Sequence, residues 1–333
     1  MTDGKLKKIT VALVGNPNSG KTSVFNMLTG ASRHVANYPG TTVETVQGTY
    51  VYGDFRIVFV DLPGTYGLTT FSAEELVARN FIINEKPDIV LNVIDASNLE
   101  RNLYLTTQLI ELGVPIVLVF NMSDVAAQRG IIFDTNRLSA LLESPIICTV
   151  ANKSQGRIDL FNAIVAEANT PRKSRTHRIT YGDEIEIALK KIEPLVSSER
   201  PALAARYGSK WIALKLLEQD SDVTAKVGSG RFIEFVNDTV AKLKTIFRDD
   251  PAVIIAEKRY GFISGACQES VKATVELTHT TSDLADAVLT HRLFGLPIFL
   301  LMMYLVFYLT FSIAPIQWRG WSNFSAGCHQ LLL

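Results

Sequence analysis

Gly15-Asn16-Pro17-Asn18-Ser19-Gly20-Lys21-Thr22 fills every fixed position of the phosphate-loop pattern G-x-x-x-x-G-K-[ST]. The run Ile9-Thr10-Val11-Ala12-Leu13-Val14 before it reads as a buried strand, and Ser23-Val24-Phe25-Asn26-Met27-Leu28 after it as the opening of a helix. Glycines at 15 and 20 let the backbone curl closely round a polyphosphate, whose charge the exposed N–H groups and the positive helix end would hold. Lys21 can reach the β and γ phosphates, and the Thr22 hydroxyl can ligate Mg²⁺. A glycine turn that merely happened to contain Lys and Thr has no reason to join a strand to a helix. Gly15 to Ser23 is the expected cradle of a nucleoside triphosphate.

The segments that follow specify which triphosphate. Arg33 to Glu44 is rich in turn-formers and reads as a loop, with Thr42 placed to complete the Mg²⁺ shell and sense the γ-phosphate. The strand Phe55–Val60 then delivers Asp61-Leu62-Pro63-Gly64, in which Asp61 suits an outer Mg²⁺ ligand and Gly64 a γ-phosphate sensor. Thr65 and Tyr66 follow, and no Gln stands where many GTPases orient the attacking water. Further on, the apolar run Ile116–Phe120 leads into Asn121-Met122-Ser123-Asp124, a form of the N-x-x-D guanine reader. Asp124 would accept from the N1–H and 2-amino group of guanine, a donor pair that adenine lacks. Asn121 would tie this loop to the phosphate loop, and Ser123 takes the place of the more usual Lys. After the strand Ile146–Thr149 comes Val150-Ala151, where the Ala151 N–H could reach guanine O6. GTP is favoured over ATP.

Strands alternate with helices across residues 8–168, which gives a doubly wound α/β domain with its ligand at the carboxyl ends of the strands. This domain is expected over 1–170, and a basic linker over 171–179. Ile185, Leu189 and Ile192 share one helical face, and Phe232, Phe235, Val236, Leu243 and Phe247 another, so residues 180–275 read as a small all-helical domain. A juxtamembrane segment (276–292) would lead to the uncharged run Leu293–Ile316, followed by a tail over 317–333. As a helix that run would be about 36 Å long, against roughly 30 Å of bilayer core. Trp318, Arg319 and Trp321 beyond it suit an interface.

Net charge is zero, from 33 basic and 33 acidic residues, which gives no reason to expect nucleic acid as a partner. Three widely spaced cysteines suggest neither a disulfide framework nor a zinc site. The polar start, Met1 to Lys8, leads straight into a strand and does not read as a signal peptide.

Taken together, these stretches resemble the ferrous iron transport protein B (FeoB) family. The telling ones are the phosphate loop, Asn37-Tyr38-Pro39-Gly40, Asp61-Leu62-Pro63-Gly64-Thr65-Tyr66, Leu99-Glu100-Arg101-Asn102-Leu103, Asn121–Asp124 and Leu293-Phe294-Gly295-Leu296-Pro297-Ile298-Phe299. The resemblance implies a Ras-like cytoplasmic GTPase domain, a helical domain that slows GDP release, and a polytopic Fe²⁺ permease in the cell inner membrane. It implies that Asn18 ligates an activating K⁺, a substitute for the missing Gln, and that small accessory Feo-type proteins are partners. Fe(II) would be reached only through a permease domain missing from this chain. Val150, Gly67 and Ser123 depart from the family's usual residues. The alternative is a soluble ribosome- or tRNA-maturation GTPase, which would carry a basic RNA-binding domain after the nucleotide motifs.

Overall fold

The computed structural model describes residues 6–30, 33–37, 44–70, 72–170, 179–273 and 295–311. The nucleotide-motif half runs β1 (Lys7–Gly15), α1 (Lys21–Thr29), β2 (Arg33–Asn37), β3 (Glu44–Tyr52), β4 (Phe55–Asp61), α2 (Ala73–Glu85) and β5 (Ile89–Asp95). It continues with α3 (Leu99–Glu111), β6 (Ile116–Asn121), α4 (Ser123–Gln128), β7 (Ile131–Phe133), α5 (Thr135–Leu142), β8 (Ile146–Cys148) and α6 (Arg157–Asn169). Seven of these strands form one sheet in the order β2-β3-β4-β1-β5-β6-β8. Strands β4, β1, β5, β6 and β8 are parallel, while β3 runs antiparallel to both β4 and β2.

Alternation along β1 sends Ile9, Val11 and Leu13 to the side covered by α1 and α6, and Ala12 and Val14 to the other. Strands β5 and β6 are covered on both faces and therefore read as unbroken apolar runs. The sequence reading is corrected at Arg33–Asn37, which is strand rather than loop: it pairs with Glu44–Gly48 and closes the sheet edge. The pairing partner supplies what local composition does not. The sheet is accordingly mixed, not purely parallel.

The second half is helical: α7 (Asp183–Glu199), α8 (Pro201–Tyr207), α9 (Ser209–Leu217), α10 (Ser221–Val227), α11 (Arg231–Phe247) and α12 (Pro251–Ser270). On α11 the buried stripe is Phe232, Val236, Val240 and Leu243, a helical spacing, while Phe235 lies outside it. The expectation of helix alone is corrected at β9 (Val271–Ala273), which pairs antiparallel with β7. Apolar residues of α2 and α3 share one continuous core with α7, α9, α11 and α12. Ion pairs at the same junction are buried. Arg259, 2% exposed, pairs with Glu111 of α3 through both carboxylate oxygens (2.6 and 2.8 Å) and with Glu218 at 2.6 Å. Lys215 closes the Glu218 side at 2.6 Å, and the Tyr181 hydroxyl donates to Glu111. A second anchor joins Arg79 of α2 to Asp220 (2.8 Å) and Asp222.

Val275–Leu333 is a separate compact unit, in which residues 295–311 are helical with exposed apolar side chains. Among the described residues no helix is long and apolar enough to cross a membrane. Only part of the expected 293–316 span is described. The rest of it, the 276–292 segment, the 317–333 tail and residues 171–178 of the linker lie outside the described residues.

Candidate functional site

The site begins where β1 ends. Of the starts of α1–α12, three are satisfied by a side chain: Ser72 accepts from Glu75 N at the head of α2, Asp134 from Arg137 N at α5, and Asp220 from Val223 N at α10. Helix α1, like α6, α7, α9 and α11, starts at a glycine without a side-chain cap. Its N-cap is Gly20, with no side-chain cap and no acidic residue in the first turn. The first helix-start N–H given a carbonyl is that of Val24, bonded to Gly20 O at 3.0 Å. The N–H groups of Lys21, Thr22 and Ser23 therefore point out of an uncapped, positive helix end, which is an anion site.

Tight packing explains the glycines. Gly20 has φ 80°, and a Cβ there would fall 2.2 Å from Asn121 Nδ2; one on Gly15 would fall 2.4 Å from Val93 O. Asn18, exposed, holds φ 67° at the crest of the loop. Pro17 packs beneath Gly64, within 3.5 Å of where a Cβ would be. Inside the loop, Ser19 Oγ and Asn16 Oδ1 are buried with no hydrogen-bond partner among the described residues. Buried polar atoms left this way are costly, and a polyphosphate with its counter-ions offers the missing partners.

Lys21 Nζ donates to Asp61 Oδ1 across the loop. Burial pushes the Asp61 carboxyl above the usual carboxylate range, against the opposing pull of Lys21. With Thr22 exposed beside them, the donors are a hydroxyl and a carboxylate, which suits Mg²⁺. The Asp61–Gly64 turn is tied to the loop by backbone: Leu62 N donates to Leu13 O (3.1 Å) and Thr65 N to Gly15 O (3.0 Å). Thr42 lies outside the described residues.

The guanine-reading segments converge on Asn121. Its Nδ2 donates to Ser19 O at 3.0 Å, and its Oδ1 accepts from Ala151 N (3.1 Å) and Thr149 Oγ1 (3.3 Å). The Ala151 N–H expected to face guanine O6 is thus directed at Asn121. Met122 adopts φ 58°, and Ser123 Oγ donates to Thr149 O at 3.1 Å, so this serine stitches the two base-side loops together. Val150 is buried beneath them. Asp124 is the half-buried end of the reader. Lys153 donates to its Oδ2 at 2.8 Å and holds the carboxyl below the usual range.

The motif reading did not single out Lys153, Thr149 or Gln108. Lys153 and Thr149 stand within a few residues of Val150-Ala151, so the segment pointed near them without assigning a role. Gln108 belongs to no motif, and its link to Leu68 spans 40 positions.

Comparison with known proteins agrees with this geometry. The family model for ferrous iron transport protein B matches residues 9–164, and that for the FeoB cytosolic helical domain matches residues 181–272. The chain is similar to an Fe(2+) transport protein A/Fe(2+) transporter FeoB fusion protein of Porphyromonas gingivalis, with 41% identity over 321 residues, 93% of this chain and 38% of that protein. It is 37% identical over 313 residues to the Fe(2+) transporter FeoB of Escherichia coli K12, covering 92% and 39% of the two. The chain therefore spans 38–39% of the length of these curated relatives. Among solved structures it is similar to a mutant of S. thermophilus NFeoB bound to GDP, with TM-score 0.72, 36% identity and coverage of 79% and 100%. The GMPPNP form of the cytosolic domain of the T. maritima FeoB iron transporter gives TM-score 0.70 at 30% identity, covering 79% and 99%.

Proposed function

Because this chain belongs to the ferrous iron transport protein B (FeoB) family, we propose that residues 1–170 bind and hydrolyse GTP as the nucleotide module of a bacterial Fe(II) uptake transporter. The observation that carries the reading is the uncapped start of α1, with Lys21 and Thr22 at its mouth and Asn121 locking the guanine reader to Ser19 O.

Gly15 to Ser23 wrap the phosphates, and Lys21 leaves Asp61 to meet them. Asp124 exchanges Lys153 for the guanine N1–H and 2-amino donors, while Asn121 keeps Met122 and the Val150-Ala151 turn in place. Thr22 and Thr42, with Asp61 behind them, would hold Mg²⁺, and Asn18 would hold K⁺. Both cations, when bound, neutralise charge on the polyphosphate. Gly64 offers its N–H to the γ-phosphate, and the helical domain over 180–275 slows GDP release. Hydrolysis is slow and stimulated by K⁺.

Leu293–Ile316 anchors the module in the inner membrane with the GTPase domain on the cytoplasmic side. The absence of charge along that run and the exposed apolar side chains of 295–311 support this. Fe(II) is the cargo of the complete transporter. Among the described residues no group of three or more His, Cys, Asp or Glu is placed to hold a metal ion. Small Feo-type proteins are the expected partners, in keeping with the FeoA fusion in P. gingivalis.

The test is GTP hydrolysis by the whole chain in KCl against NaCl, with Asn18→Ala as control. Faster turnover in K⁺ that disappears in N18A is expected. Equal rates in both salts, in wild type and mutant alike, would remove the cation role.

A further inference from the structure

Gln108 sits in the middle of α3 and is 1% exposed. Its Oε1 accepts the N–H of Leu68, the residue four beyond Gly64. Only the carboxamide oxygen can accept from an N–H, so this bond fixes which way the amide faces. The other half, Nε2, is buried with no partner among the described residues. A leucine or methionine would fill the same volume without burying an unsatisfied N–H₂ group. What the glutamine adds at this position is the acceptor.

The segment it holds is tied down at both ends. Thr65 N donates to Gly15 O in the phosphate loop, while Thr65 Oγ1 donates to Gly67 O at 2.5 Å and so closes the turn between them. At the far end a Cβ on Gly67 would stand 3.0 Å from Gln108 Oε1, so the backbone lies directly against the amide. One attachment is to the phosphate loop and the other to α3, with the Gly64 N–H just ahead of the first.

We propose that Gln108 is a positioning residue for GTP hydrolysis: by holding the Leu68 N–H against α3 it sets where the Gly64 N–H stands over the phosphate loop. The inference rests on the GTPase reading and adds to it a residue outside every nucleotide motif. Gln108 touches no nucleotide; it acts through the backbone of Gly64–Leu68. Its removal therefore lowers the rate of the chemical step and leaves GDP affinity alone, because GDP has no γ-phosphate for Gly64 to meet.

The experiment compares wild type, Gln108→Leu, Gln108→Glu and Gly67→Ala in the full chain, reading single-turnover GTP hydrolysis and GDP affinity. Q108L should lose tenfold or more in rate with GDP affinity within twofold of wild type. Q108E keeps an acceptor for Leu68 N–H and should return to within threefold. G67A reaches the same contact from the other side, pushes Oε1 away and should slow turnover with GDP binding intact, which serves if Q108L does not fold. Wild-type rates in Q108L or G67A, or a Q108E as slow as a GDP-binding Q108L, overturn the proposal. A wild type that binds no GDP or turns over no GTP overturns the GTPase reading instead.

Discussion

Helix α3 runs beside two clusters of charge that are built in opposite ways. Near the phosphate loop the polar groups are incompletely matched: Lys21 borrows Asp61, Asp124 borrows Lys153, and Ser19 Oγ and Asn16 Oδ1 have no partner among the described residues. At the helical junction Arg259, Glu111, Glu218, Lys215 and Tyr181 satisfy one another in a buried net. The first arrangement is written so that a ligand can rewrite it. The second gains nothing from any ligand and loses heavily if one member goes.

That contrast ranks the mutations. Arg259→Met strips two buried carboxylates of their cation and should cost about 3–5 kcal/mol of unfolding free energy in urea titration. A loss below about 1 kcal/mol would place this net with the exposed pairs and break the comparison.

Lys21→Ala tests the other side. It should leave the urea midpoint where it is and weaken GTP binding by roughly 10- to 100-fold, the worth of about 1.5–3 kcal/mol for a hydrogen bond to a charged group. A mutant that unfolds early would show that Lys21 serves the fold as well as the ligand.

Acid sharpens the distinction. Burial raises the Glu218 carboxyl, but Lys215 and Arg259 outweigh it and leave it lowered from 4.5 to about 2. A depressed folded value means stability that is present above the unfolded value and lost as pH falls, here from 4.5 towards about 2. Asp61 has the opposite sign, since a raised value favours the protonated form and relieves the fold as pH drops through the range just above 3.8. Net stability should fall through the Glu218 window, and R259M should flatten that fall. A pH profile unchanged by R259M would remove Glu218 from the account.

The smallest effect belongs to Lys153→Ala. Its pair with Asp124 is exposed on the Lys153 side at 62%, so the urea midpoint should stay at its wild-type value. A lowered midpoint would mean that the guanine reader is held by the fold rather than left open for the base.

The two clusters also differed in how far the sequence disclosed them. Phosphate chemistry dictates short spacings, so Gly15 to Thr22, Asp61–Gly64 and Asn121–Asp124 stand out as local patterns, and the parallel core of the sheet follows from its apolar runs. The junction leaves no such trace, because Arg259 and Glu111 are 148 positions apart and each alone reads as an ordinary charged helix residue. Strand β2 and strand β9 escaped for a related reason: each becomes a strand through its partner across the ladder, not through its own composition. Gln108 escaped as one of several polar residues on α3, with its partner 40 positions away.

The short ladder between β9 and β7 has a mechanical meaning. Ile131–Ala273 and Phe133–Val271 face each other across it, and Asp134 N adds a bond to Ser270 O at 2.7 Å. Strand β7 is the element directly after α4, which opens at the guanine reader. Tension arriving along the chain past Ala273 is therefore borne first by the strand behind the base-binding loop, before the helical bundle takes any of it. The same ladder would carry load the other way, so any displacement of β7 would be felt by the chain at residue 273.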